Sequence, residues 1–275
     1  MTHLRYTSVI VLLILSSNSS NAQSASCLMG ARSMSMGYAS ACLKDEWSVF
    51  NNVAGLAKVE NLATAFTYQA FPNFSPFNRM AAAVAIPVPM GVSAIGAYRF
   101  GDDLYNEQML SAGFANTMGL ASLGIRLNYI QYHAEGFGTT RAVSVNAGGI
   151  VNITPSFSIG AHLININQPH LTRSGGETLP AVMMLGFGAE VSDHLFIAGE
   201  IEKDLLYPLT LKTGLEYQVH KKLALRTGIN LQPNAAFFGF GCKAKKMVLD
   251  YSLQWSMNTG TNHQAGVSYR FKSKK

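Results

Sequence analysis

Any chemistry in this chain has to come from its seven histidines, its three cysteines or its sparse charges. A hydrolase needs a Ser or acid nucleophile beside an oriented His. His3 falls in the N-terminal leader, and His133, His170, His194, His220 and His263 fall at the ends of alternating segments or in connectors. Only His162 sits mid-segment, and nothing in the sequence sets a Ser or Asp beside it. A hydrolase centre is therefore the lesser reading, and no enzyme activity is expected. No phosphate-binding loop, dinucleotide fingerprint or HExxH zinc motif is present. Cys27, Cys42 and Cys242 form no CxxC or Cys/His set, so neither metal nor cofactor is expected. In an oxidising compartment Cys27 and Cys42 could close a loop. Two free or buried thiols are an equal alternative.

The charges have a clearer pattern. Alternation puts Arg126, Glu190, Glu200, Glu202, Lys212, Glu216, Arg226 and Asp250 on one face, with Arg270 after them. Glu200 or Glu202 can pair with Lys212 across neighbouring segments, and Glu216 with Arg226. A satisfied ion-pair network is favoured over a relay that handles substrate. The same face carries Gly124, Gly148, Gly186, Gly188, Gly214, Gly228 and Gly266. Glycines there leave room for a plug, a ligand or other side chains.

What positions these residues is a set of strands. Residues 123–129 show the rule: Leu123, Ile125, Leu127 and Tyr129 alternate with Gly124, Arg126 and Asn128. The pattern returns at 143–151, 157–163, 183–191, 195–201, 209–219, 223–231, 235–243, 249–257 and 265–271. Ala-rich versions precede it at 63–71, 80–88, 92–100 and 108–115. The total is about fourteen, an even number within the range of outer-membrane barrels. Connectors alternate between brief (89–91, 118–119, 154–156, 193–194, 221–222, 245–246) and longer (72–78, 101–106, 135–141, 169–180, 258–262). Residues 203–208 and 232–234 are short for the longer class.

Composition explains why such a sheet would close. Charged residues are 13%, against the roughly 25% usual for soluble domains. Mean hydropathy is +0.14. Residues 1–22 read as a signal peptide. His3 and Arg5 precede the apolar run 7–15, and Ser20 and Ala22 suit a cleavage site before Gln23. The run is about half the ~20 residues of a spanning helix, so an anchor is disfavoured, and Cys27 lies too far beyond it for a lipobox. An exported, charge-poor chain with no further apolar helix has one membrane-compatible form, a closed β-barrel. The competing form is a secreted sandwich. The expectation is an all-β transmembrane antiparallel barrel over 62–275, integral to the bacterial outer membrane and in contact with its lipid. Tyr129, Tyr217, Tyr251, Trp255, Tyr269 and Phe271 suit interfacial girdles. The net charge of +6 lies largely in turns and the 272–275 tail, and no nucleic-acid motif accompanies it. No nucleic-acid partner is expected.

Residues 23–61 differ from everything after them. Trp47, Phe50, Val53 and Ala54 have helical spacing, with Asp45 as N-cap, so a helix is predicted over 46–56. The set Gly30, Arg32, Gly37, Asp45, Trp47, Asn51, Asn52, Gly55 and Leu56 resembles the N-terminal signature of the PorV/PorQ group of Bacteroidota outer-membrane proteins, related to the FadL fatty-acid channels. Val53 and Tyr38-Ala39 depart from that pattern. The resemblance implies a fourteen-stranded barrel whose N-terminal segment enters the lumen as a hatch. The other form of that segment is a short helix under the barrel mouth.

Two functions follow as expectations. The resemblance implies a non-catalytic accessory subunit or shuttle of a type 9 secretion-like export machine, with other envelope proteins as partners. Compact loops and a filled, ion-paired lumen would favour it. The alternative is a FadL-like channel for a hydrophobic small-molecule ligand. An apolar pocket next to the hatch, or a lateral opening at a strand kink near Pro87 and Pro89, would favour that.

Overall fold

A computed structural model describes residues 27–171, 178–205, 207–257 and 260–271. The signal-peptide reading and the 272–275 tail lie outside the described residues. Fourteen antiparallel strands form one closed ring. They are β1 (Ala63–Ala70), β2 (Arg79–Val88), β3 (Gly91–Gly101), β4 (Tyr105–Met118), β5 (Ala121–Ala134), β6 (Gly138–Thr154) and β7 (Phe157–Ile164), followed by β8 (Val182–Ser192), β9 (Leu195–Asp204), β10 (Thr210–His220), β11 (Leu223–Leu231), β12 (Asn234–Ala244), β13 (Met247–Ser256) and β14 (Gly260–Arg270). Each pairs with its sequence neighbours. The ring closes where β1 meets β14, from Ala63 opposite Arg270 to Ala70 opposite His263.

At one end every hairpin turns in two residues: 89–90, 119–120, 155–156, 193–194, 221–222 and 245–246. Gly119 and Lys245 take the positive φ such turns need. The opposite end carries the longer connectors, chiefly 71–78 and 165–181. Three connectors expected to be long are shorter, because β4, β6 and β14 extend further toward that end than their apolar alternation does. Polar Asn106-Glu107 and Thr139-Thr140 keep the ladder going.

Sidedness follows the period of two. On β5, Leu123, Ile125 and Leu127 are each 52% exposed on the outside, while Arg126 and Asn128 are buried inside. The outward Leu, Ile, Val and Phe form a band that only hydrocarbon would cover. The inside holds residues 27–61. Met29, Trp47, Val49, Phe50, Val53 and Leu56 pack there against Ala65, Ala81, Ala83, Ala85, Ala94 and Ala115. This accounts for the alanine-rich early strands: with a plug beside them, larger inward side chains have no space.

The inward glycines serve the same fit. A Cβ on Gly214 would lie 2.5 Å from Met36 O, one on Gly228 2.3 Å from Gly37 N, and one on Gly148 2.0 Å from Asn52 Oδ1. Gly266 is different and abuts Thr67 of the neighbouring strand. Strand glycines cost packing and order, so their placement beneath the hatch marks a close approach of backbones. Replacing Gly228 with Val should push the 36–37 backbone off β11 while the ladder remains. We expect a barrel that still shows heat-modifiable migration on gels, with trypsin cutting at Arg32 or Lys44 several times faster than in the parent.

Candidate functional site

The hatch is built from short pieces, not one helix. Residues Ala31–Ser35 form a single α-helical turn, and 3-10 turns follow at Glu46–Val49 and Val53–Lys58. The helix predicted over 46–56 is therefore broken in two. Asp45 does cap the first turn. Its carboxylate accepts from Trp47 N, and Ser48 completes a capping box. The break comes at Asn51-Asn52, whose side chains bond to backbone elsewhere instead of continuing a helix. Asn51 takes both backbone groups of Met29, and Asn52 caps the second turn. The Asn52 amide also donates to Ala41 O at 2.6 Å and to Gly149 O and Ala161 O on the barrel wall.

The remaining motif residues fold the segment back on itself. Gly30 has φ +105, and a Cβ there would strike Trp47 at 2.7 Å. Gly37 has φ +65 and lies under the carbonyls of Thr213 and Ile229. Gly55 lies where any side chain would hit Leu43 O. Leu56 is fully buried.

Charges hold the hatch to the wall. Arg32 grips Glu216 through two donors, Nε at 2.9 Å and Nη2 at 2.8 Å, and reaches Asp45 at 3.2 Å. Glu216 also pairs with Arg226 at 2.5 Å, and Arg226 with Asp250 at 2.6 Å. One chain of alternating charge thus runs from the hatch across β10, β11 and β13. A second anchor is Glu200. Its Oε2 accepts from Ser40 N (2.9 Å) and Ala41 N (2.7 Å), while its Oε1 takes Lys212 at 3.1 Å. Lys212 also bonds Glu202. Arg126 donates to Val49 O, and Arg270 pairs with Glu46 at 3.2 Å.

Both pairings expected among the strands are present. Glu190 differs: it is exposed at the two-residue-turn end and has no partner in this network. The anchors between hatch and wall are not legible in the sequence. Arg32 was singled out, but its partner lies 184 residues away. Nothing marks Val49 O or the Ser40 and Ala41 amides as acceptor and donors before the fold is known. His162 is fully buried in the lumen wall with no partner for either ring nitrogen. No Ser or acid oriented beside it is seen among the described residues.

The cysteines are free, which decides against the loop closure. Burial pushes the Cys42 thiol up to about 11 and the Cys27 thiol up to about 12. Cys42 points between Ser158 O and Gly186 O.

The hatch divides the lumen. Toward the longer connectors lies a cavity of about 400 Å³, floored by Leu28 and Tyr38 of the hatch and walled by Phe71, Arg79, Lys212 and Phe237. Toward the two-residue turns lies one of about 320 Å³, lined by Arg32, Lys44, Phe157, Glu190, Phe196 and Glu216.

The fold is similar to that of solved barrels that include two toluene transporters and a FadL homologue. The Ralstonia pickettii toluene transporter TbuX superposes with a TM-score of 0.74, at 13% identity, over 89% of this chain and 98% of that one. The Pseudomonas putida toluene transporter TodX gives 0.64 at 11% identity, over 88% and 97%. A Pseudomonas aeruginosa FadL homologue gives 0.62 at 12% identity, over 86% and 96%. No family model and no curated protein sequence matches the chain.

These neighbours overturn one expectation. The accessory-subunit reading for a protein-export machine has no counterpart in them: they are transporters and hydrocarbon channels. The filled, ion-paired lumen that was to favour that reading occurs here in a fold shared with channels, so it does not discriminate. Nor do they support the PorV/PorQ subgroup within the FadL-type barrels.

Truncating Arg32 to Ala leaves Glu216 and Asp45 facing each other's surroundings with one cation fewer. At 26% side-chain exposure the loss should be roughly 3 kcal/mol, the low end for breaking a buried pair. We expect maleimide labelling of Cys42, slow in the intact protein, to accelerate at least tenfold in Arg32→Ala without loss of the barrel.

Proposed function

We propose that this protein is a channel for small hydrophobic molecules in the bacterial outer membrane, exported by a cleaved signal peptide over residues 1–22 and gated by the 23–61 hatch. The two-residue turns then face the periplasm, as is general for such barrels. The observation that carries the reading is the cavity directly above the hatch, with Leu28, Tyr38, Phe71 and Phe237 in its wall. Its volume falls in the range of small-molecule sites, where apolar walls carry a few placed polar groups. The fold shared with toluene transporters supports the same class of cargo.

The hatch is suited to gating because polar contacts fix it at a few points. The barrel ladder is complete without it, since all backbone pairing between strands runs around the ring. The Arg32–Glu216 anchor lines the 320 Å³ cavity, where water can take over its contacts when the hatch moves. Neither PorV/PorQ membership nor a partner in the envelope is needed for this reading.

Deleting residues 30–57 tests it. The expected result is a barrel that inserts into planar bilayers with conductance raised severalfold, and liposomes that pass toluene faster than those with the parent. Unchanged conductance and flux would reduce the segment to a passive leader.

A further inference from the structure

One cation of the upper cavity, Arg79, has no carboxylate partner among the described residues. Arg79 opens β2 on its inward face, directly opposite Gln69 of β1 and Phe100 of β3. Its guanidinium carbon lies 5.6 Å from the Phe71 ring centroid and 5.4 Å from that of Phe100. Among the described residues it makes no ion pair, and its buried Nε has no hydrogen-bond acceptor. The acids near it are committed elsewhere. Glu202 and Glu200 hold Lys212, and Glu107 accepts from Tyr105 Oη at 2.9 Å. A buried guanidinium N–H without an acceptor is expensive, and the rings satisfy only the faces of the group. Its in-plane N–H fork is the geometry that a carboxylate completes with two parallel bonds.

The surroundings specify what carries that carboxylate. Phe71 and Phe100 both contact Phe77, at 6.1 and 5.8 Å, and Phe77 meets Phe74 edge-to-face at 4.5 Å. Phe74 and Phe77 are exposed at the rim, so aromatic edges and faces run from solvent down to Arg79. Across the cavity Tyr38 and Phe237 meet edge-to-face at 5.8 Å. Rings in such surroundings gain offset and edge contacts that an alkyl chain does not. The amide oxygens of Gln69 and Asn262, also without donors, suit ordered water.

We propose that this cavity binds a small aromatic carboxylate, with Arg79 receiving the anion and the Phe71 side of the wall holding the ring. The assignment rests on the channel reading for its place in transport, and it narrows the cargo from any hydrophobic molecule to an aromatic acid.

Calorimetric titration of the purified, detergent-solubilised protein tests it, with phenylacetate, its neutral isostere phenylacetamide, and decanoate as probes. The parent should bind phenylacetate at least tenfold more tightly than phenylacetamide. Arg79→Gln should erase that difference while leaving phenylacetamide affinity unchanged. Arg79→Lys keeps the charge but loses the fork, and should weaken phenylacetate binding by at least threefold. Heat-modifiable migration confirms that each variant is folded. Equal phenylacetate affinity in the parent and both variants would overturn the proposal. Arg79-dependent binding of decanoate tighter than that of phenylacetate would overturn the aromatic assignment. Toluene and phenylacetate flux into liposomes is measured in parallel. Phenylacetate binding without flux of either would sink the channel reading and leave the site standing. Toluene flux without Arg79-dependent binding would do the reverse.

Discussion

A sheet surrounded by hydrocarbon has no water to satisfy its edge, so its first and last strands must find each other. The pairing of β1 with β14 is that closure, and the rest of the molecule follows from it. Fourteen strands close around a space too wide for their own inward side chains to fill. In this chain the space is taken by its own N-terminal segment. The inward face of the barrel is therefore written for contact with a plug: alanine and glycine where backbone approaches backbone, and charge where a side chain can reach across. The hydrophobic core is the surface between hatch and wall, and the usual relation of an apolar inside to a polar outside is inverted elsewhere.

Two kinds of contact hold the plug, and they differ in what they permit. Apolar packing of Trp47, Phe50, Val53 and Leu56 against alanines is specific in shape and hard to reverse in part. The charge chain through Arg32, Glu216, Arg226 and Asp250 borders the 320 Å³ cavity at its Arg32–Glu216 link, where water can replace the contact. The largest apolar cluster lies on β1–β6, with smaller ones on β7, β8, β9 and β12, and the ionic contacts lie mostly on β9–β13. The β9–β13 side thus carries both kinds of contact.

The barrel was legible because its determinants are local. Alternation in 123–129 or 249–257, brief turns and charge scarcity each act within a few residues, and together they specify strand number and sidedness. The Glu200–Lys212 and Glu216–Arg226 pairs were legible for the same reason, since hairpin register brings them side by side. What depends on chain crossing the lumen was not. The helical spacing of Trp47 and Phe50 is real, but Asn51 and Asn52 are used for distant backbone, and no local rule reveals that. Arg32 and Glu216 face each other only because a plug enters a ring. The functional inference from the opening motif failed for a related reason: glycines, Asn and Trp in that pattern describe how a segment packs in a lumen, and packing is common to barrels with different tasks.

The seam has a consequence for the order in which the molecule is made. The hatch precedes all fourteen strands in the chain, yet its main ionic partner is 184 residues behind it. Arg270, which holds Glu46, comes almost at the end. Contacts of such span are slow to form, because the intervening loop must be closed before anything is gained. Until β9 and β10 are in place, Arg32 and the Ser40 and Ala41 amides lack their partners on the wall. Once β14 has joined β1, a finished ring leaves only its two mouths for a polar, folded segment to pass. The contacts between hatch and wall are therefore among the last to be completed, as ring and stopper come together.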